Sequence, residues 1–133
     1  MQPDQDQVRD LARTYAEAWC SHDPAAVADH YRPGGTIAIN GGEPTEIMEV
    51  ASSFMSAFPD IQVFVDDVAF KEDTVELHWT FTGTNTGPGG NGKWVRISGF
   101  EEWRFGDDGL VAESQGHYDQ AEYDRQLEHG AAE

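Results

Sequence analysis

The residues best suited to chemistry lie near the end of the chain, in GDDGLVAESQGHYDQAEYDRQL, Gly106 to Leu127. Asp119 is a carboxylate that can take a proton and return it, and His117 belongs to the residue type that titrates nearest neutrality. One residue separates them at the end of an alternating run, so a strand sets both on one face, with Gln115 and Glu113 behind. That set suits proton transfer on a small organic molecule, with Asp119 as acid/base and His117 or Gln115 assisting. Tyr15 and Trp19 lie one helical turn apart, and Phe54 falls on the apolar side of a later helix. These rings can wall an apolar or aromatic ligand. Asn40 and His78 add polar contacts, although an amide such as Asn40 carries no proton near neutrality. Each has a plainer reading. Asp119 can cap the helix that follows it, His117 can be a satisfied wall residue, and His78 can be structural or exposed. No histidine has the i,i+4 partner or carboxylate cluster of a metal site, so neither metal nor cofactor is expected.

The elements that must position these residues read clearly. Val8, Leu11, Ala12, Tyr15, Ala18 and Trp19 recur at helical spacing between Asp4 and His22, with Asp4 or Asp6 as cap. Asp23-Pro24 starts a short second helix to Tyr31, Pro33-Gly34-Gly35 breaks it, and Thr36–Asn40 reads as a short strand. A third helix runs from about Thr45, with Ile47, Val50, Ala51, Phe54 and Phe58 on one face, until Pro59 ends it. After Pro59 the chain reads as sheet: residues 61–70, 74–86, 93–105 and 110–118 alternate and carry many β-branched and aromatic residues. Their short connections require antiparallel neighbours, and Asp108-Gly109 marks a hairpin turn. Gly83–Gly92 holds five glycines and a proline, suiting a hairpin tip better than a phosphate cradle, since it opens no helix. A last helix follows Asp119.

On the long strand, Val75, Leu77, Trp79 and Phe81 alternate with Glu76, His78, Thr80 and Thr82. If Asp119 faces a pocket, the apolar set faces outward and is too large to leave wet. A homodimer through the outer sheet face is the expectation. Trp94 and Trp103 have opposite parity, so one faces the helices and the other faces out.

Size and charge narrow the partners. With 133 residues the chain, 1–133, reads as one domain. It carries 25 acidic against 8 basic residues, a formal net charge of −17. Nucleic acid and anionic membrane surfaces are therefore poor partners. The same excess fits either an ordinary solubilising surface or adaptation to high salt. Cys20 is the only cysteine, which excludes an internal disulfide and fits a reducing, cytoplasmic setting.

Helices followed by a curled antiparallel sheet make an α+β architecture. Several features together give a more specific pattern: Tyr15 and Trp19 with Asp23, Phe58-Pro59-Asp60, Trp79 with Gly83 and Gly87, and Gly109, Asp119 and Gln126-Leu127 at the end. This resembles the SnoaL-like branch of the NTF2-like superfamily, over nearly the whole chain. The resemblance implies a cone in which N-terminal helices close one face of a strongly bent sheet around a blind pocket, with Asp119 pointing into it. It implies a cofactor-free cyclase or isomerase working by acid/base chemistry on an apolar carbonyl compound. The alternative is a non-catalytic hydrophobic-ligand-binding or dimerisation module of the same fold. An epoxide-hydrolase relay is not supported, because His78 and Thr80 stand where such relatives carry Arg and Asp. Ketosteroid isomerase-like relatives use a carboxylate where this chain has Asn40, and an acidic donor on a later strand for which no residue is assigned.

Overall fold

The computed structural model describes residues 4–131. Helix α1 spans Gln5–Cys20, and Asp4 caps it reciprocally with Gln7, each side chain bonding the other's backbone N–H. The pair satisfies two of the N–H groups that a helix start leaves orphaned. Helix α2, Pro24–Ala28, is capped by Asp23 with proline in the first turn. Strand β1 then runs Tyr31–Ile39, and β2 is the two-residue Thr45–Glu46. Helix α3 is Ile47–Ala57, and strands β3 Gln62–Phe70, β4 Val75–Thr84, β5 Trp94–Phe105 and β6 Val111–Tyr118 follow. Helix α4, Gln120–His129, closes the order.

Two boundaries differ from the sequence reading. Pro33-Gly34-Gly35 lies inside β1, where the pairing with β6 shifts register between Tyr31 and Thr36 and Gly34 takes φ +79°. Glycine reaches that left-handed conformation without the steric cost of a Cβ, so the motif bends a strand. Thr45 pairs with Ile37 across β2 and β1, and α3 starts two residues later than expected.

The six strands form one mixed sheet in the order β2-β1-β6-β5-β4-β3. The β3–β4–β5–β6 run is antiparallel as expected, and β1 joins β6 in parallel. A core of Val8, Tyr15, Ala51, Phe58, Leu77, Ile97 and Trp103, among others, fills the space between helices and sheet. The α4 helix is fastened across β5: the Arg96 backbone N–H donates to Gln126 Oε1 at 2.8 Å, and Ala131 N–H donates to the Trp94 carbonyl at 2.7 Å.

The choice of sheet face needs correction. Val75, Leu77 and Phe81 are buried in the core and Trp79 packs against it, so this strip faces the helices and is not the expected outer apolar strip. Glu76, His78, Thr80 and Thr82 take the other side. Thr80 stays only 4% exposed there because its hydroxyl meets Asp66 Oδ2 at 2.6 Å and Ser98 Oγ at 2.7 Å. Trp103 is buried and Trp94 is 48% exposed, as their parity requires.

Candidate active site

Between α1, α3 and the sheet lies a cavity of about 60 Å3, lined by Tyr15, Trp19, Phe54, Trp79, Glu101 and Tyr118 together with aliphatic residues of β1, β3 and β4. The rings interlock edge to face, Trp19 on Phe54 at 6.2 Å and Phe54 on Phe81 at 5.8 Å between centroids. Tyr123 of α4 packs on Phe54, Phe81 and Tyr118, placing α4 against the same aromatic group. Burial pushes the Tyr123 hydroxyl up to about 12, with neighbouring Tyr118 and Asp124 adding to the shift. A larger groove, about 700 Å3, lies between α1 and β3 around Arg13, Glu17, Phe64 and Asp66. It is more open to solvent than the cavity, which is the better place for chemistry that must exclude water.

Among the described residues, Glu101 supplies the only carboxyl of the cavity lining. It sits on the helix-facing side of β5 with Val95, Ile97, Gly99 and Trp103, and it is 6% exposed. A charge taken out of water at that depth needs partners, and four residues donate to Oε1: Ser114 Oγ at 2.8 Å, Trp103 Nε1 at 3.0 Å, and the hydroxyls of Tyr15 and Tyr31, each at 3.2 Å. Oε2 has one long contact, Tyr15 at 3.3 Å. The two oxygens are thus unequal, one saturated and the other available. Burial raises the Glu101 pKa above the ordinary carboxylate value, although the Trp103, Ser114, Tyr31 and Tyr15 donors act the other way. Burial, followed by the Glu101 charge, holds both tyrosine hydroxyls well above their usual pKa. They remain neutral donors at any ordinary pH.

The sequence-selected residues divide around this centre. Tyr15, Trp19 and Phe54 line the cavity. Asp119 and His117 do not, which corrects the expectation that they point into it. Asp119 is exposed and caps α4 by accepting from the Glu122 backbone N–H at 3.1 Å. Its residue lies beyond the last residue of β6, where strand parity stops applying. His117, His78 and Gln115 belong to the opposite sheet face, since the inner side of β6 is Ser114, Gly116 and Tyr118. There His117 Nε2 meets Glu102 at 2.8 Å and His78 Nε2 meets Glu76 at 3.2 Å. Phe100 stacks between the two histidine rings, 4.8 Å and 5.3 Å from them. Asn40, at φ +50°, accepts from the Tyr118 backbone N–H at 2.9 Å and ties the end of β1 to β6. Asp119→Ala should therefore cost roughly 1 kcal/mol of stability, the usual scale of a lost cap. Thermal melts would check it, and a loss of ligand binding with α4 intact would restore the pocket role.

Glu101 was the residue sequence reasoning passed over. Its signal was parity: a carboxylate in register with Val95, Ile97 and Trp103 is a charged residue on the apolar side of a strand. Among the described residues no cluster of three His, Cys, Asp or Glu side chains is arranged to hold a metal, and no helix is long and apolar enough to cross a membrane.

Helices packed on one face of a six-stranded mixed sheet, with a cavity between them, give the fold of NTF2-like, ketosteroid isomerase-like cones. The SnoaL-like polyketide cyclase family model matches residues 9–127, and the chain belongs to that family. Solved structures agree on the fold. A putative hydroxylase, AclR from Streptomyces galilaeus, is 23% identical with a TM-score of 0.78, over 96% of this chain and 100% of its own. A putative polyketide cyclase from Acidithiobacillus ferrooxidans is 22% identical, with a TM-score of 0.75 over 98% and 100%. IdmH from Streptomyces antibioticus, also a putative polyketide cyclase, is 21% identical, with a TM-score of 0.72 over 92% and 99%. No curated protein matches the chain.

Proposed function

We propose that the cavity binds a small, apolar, carbonyl-bearing molecule and that Glu101 moves its proton in a cofactor-free cyclase- or isomerase-type reaction. The observation that carries this reading is a buried carboxyl, alone in the cavity lining among the described residues, with one oxygen saturated and one available and with walls of rings and aliphatic chains. A base works best when its pKa lies near the operating pH, and burial moves Glu101 in that direction. As carboxylate, Oε2 takes the proton from the carbon beside the carbonyl. As acid, the same oxygen returns it to carbon or oxygen, while the four donors hold Oε1 in place through both states.

The competing reading is a binding module without turnover, and the size of the cavity bears on both. A cavity of about 60 Å3 is well below the ~300–1,000 Å3 of most ligand sites, so a substrate must displace rings such as Phe54 and Tyr118 to enter. The two readings separate in deuterated buffer. The protein should quench or shift its tryptophan emission on adding aryl ketones, and should speed deuterium uptake at the carbon next to the carbonyl. Binding without faster uptake supports the module, and no binding by any ketone contradicts both.

The same reading retains a homodimer, now through the opposite sheet face around Phe64, His78, Phe100 and His117. That face carries Glu76, Glu102 and Asp66, so two copies would repel at low salt and associate better when the charges are screened. Sedimentation should show the dimer fraction rising from low to molar salt. A monomer at micromolar concentration in both removes the dimer.

A further inference from the structure

We propose that the Trp79 indole N–H is the donor that holds the ligand's carbonyl oxygen, and that the ligand is accordingly a neutral ketone-type molecule. This deepens the function proposed above and rests on it. Trp79 lines the cavity, and its Nε1 is the one buried side-chain nitrogen or oxygen among the described residues with no hydrogen-bond partner. Native proteins rarely leave such a group unpaired, because its lost hydration is not replaced. The contrast with Trp103 is informative, since that indole donates to Glu101 at 3.0 Å. The Trp79 ring is also confined. Phe81 and Tyr118 pack on it at 6.1 and 6.3 Å between centroids, and its six-membered ring lies against Gly99.

Among the described residues no acceptor reaches this N–H, and an occupant of the cavity that Trp79 lines is the acceptor's source in this proposal. A water bound there needs two or more polar partners, and beyond Glu101 and the tyrosines the lining is rings and aliphatic chains. An oxygen carried by an apolar body meets the N–H without leaving other polar valences bare. Charge narrows the class further. The cavity lining contains Glu101 and neither lysine nor arginine, so a carboxylate or phosphate ligand would face an acid without a counter-charge. In an enolising step the carbonyl oxygen gains negative charge as Glu101 removes the proton from carbon, and a fixed N–H at that oxygen stabilises the developing charge. Trp79 then acts on both binding and rate.

The test compares acetophenone with ethylbenzene, which keeps the ring and chain and lacks the carbonyl. In a proton–nitrogen correlation spectrum the Trp79 indole signal, identified by its absence in Trp79→Phe, should move downfield with acetophenone and not with ethylbenzene. Trp79→Phe should bind the two compounds about equally, whereas the native chain prefers acetophenone about tenfold, and it should slow deuterium uptake about a hundredfold. If acetophenone binds and leaves the indole signal in place, the donor assignment fails while the pocket reading stands. An indole signal already downfield without ligand and unmoved by it identifies a resident water and likewise overturns the inference. If neither compound binds, the donor assignment falls, and the pocket reading falls with it only if the other aryl ketones also fail to bind. The spectrum of the native protein decides even if the variant does not fold.

Discussion

Glu101→Ala is expected to unfold much of the protein, and Glu101→Gln to leave it folded. Removing the carboxyl takes the acceptor from the hydroxyls of Tyr15, Tyr31 and Ser114 and from the Trp103 indole N–H, all buried, and leaves them only the long 3.4 Å contact between the two tyrosine hydroxyls. Each buried group left unpaired costs about 1–3 kcal/mol, so the alanine variant loses at least about 4 kcal/mol of the ~5–15 kcal/mol typical of a domain. Glutamine keeps a carbonyl oxygen for the same donors and should cost far less. The pH dependence has a definite sign. The folded pKa of Glu101 is raised, so the native chain binds this proton more tightly than the unfolded chain does. The resulting stability is full below the unfolded carboxylate pKa and is lost as pH rises through the folded one. Relative to native, Glu101→Gln should therefore gain stability from acid toward neutral pH. Denaturant midpoints at a series of pH values would show it. A difference that does not change with pH would mean that Glu101 is not held at a raised pKa.

Gly99→Ala should be the second severe substitution. A Cβ at this position would collide with the His117 carbonyl oxygen of the paired strand and lie 2.9 Å from Trp79 Cη2. A backbone carbonyl cannot turn aside as a side-chain tip does, so β5 and β6 must separate there or Trp79 must leave its place. Overpacking of that kind costs about 3 kcal/mol or somewhat more, a fall in melting temperature on the order of 10 °C. Calorimetry would measure it. A drop of only 1–2 °C would mean that the sheet is looser at this point than its register implies.

Much of the fold was legible because its signals are local. The N-terminal cap, read as Asp4 or Asp6 and found at Asp4, the Asp23-Pro24 start and the alternation after Pro59 each specify an element through neighbouring residues. The parallel seating of β1 on β6 has no such signal, since it joins residues more than seventy positions apart. The site was harder for a related reason. Alternation along β4 separates Val75, Leu77, Trp79 and Phe81 from Glu76, His78, Thr80 and Thr82, but it does not say which set faces the helices. Fixing the face by Asp119 inverted it, because Asp119 is already the cap of α4. Thr80 also shows why polar residues did not betray the outer face. Asp66 and Ser98 satisfy its hydroxyl there, so burial carries no penalty. Glu101 draws its donors from α1, β1, β5 and β6, an arrangement that only the assembled fold produces.

The central claim is that Glu101 moves the proton. Its most direct test is the rate of deuterium uptake into a bound aryl ketone by the native chain and by Glu101→Gln, at matched occupancy and across pH. The native rate should rise through a pKa above the ordinary carboxylate range. Glu101→Gln should bind comparably and be slower by about a hundredfold or more, the scale of a lost general base. Equal rates in the two proteins would contradict the account.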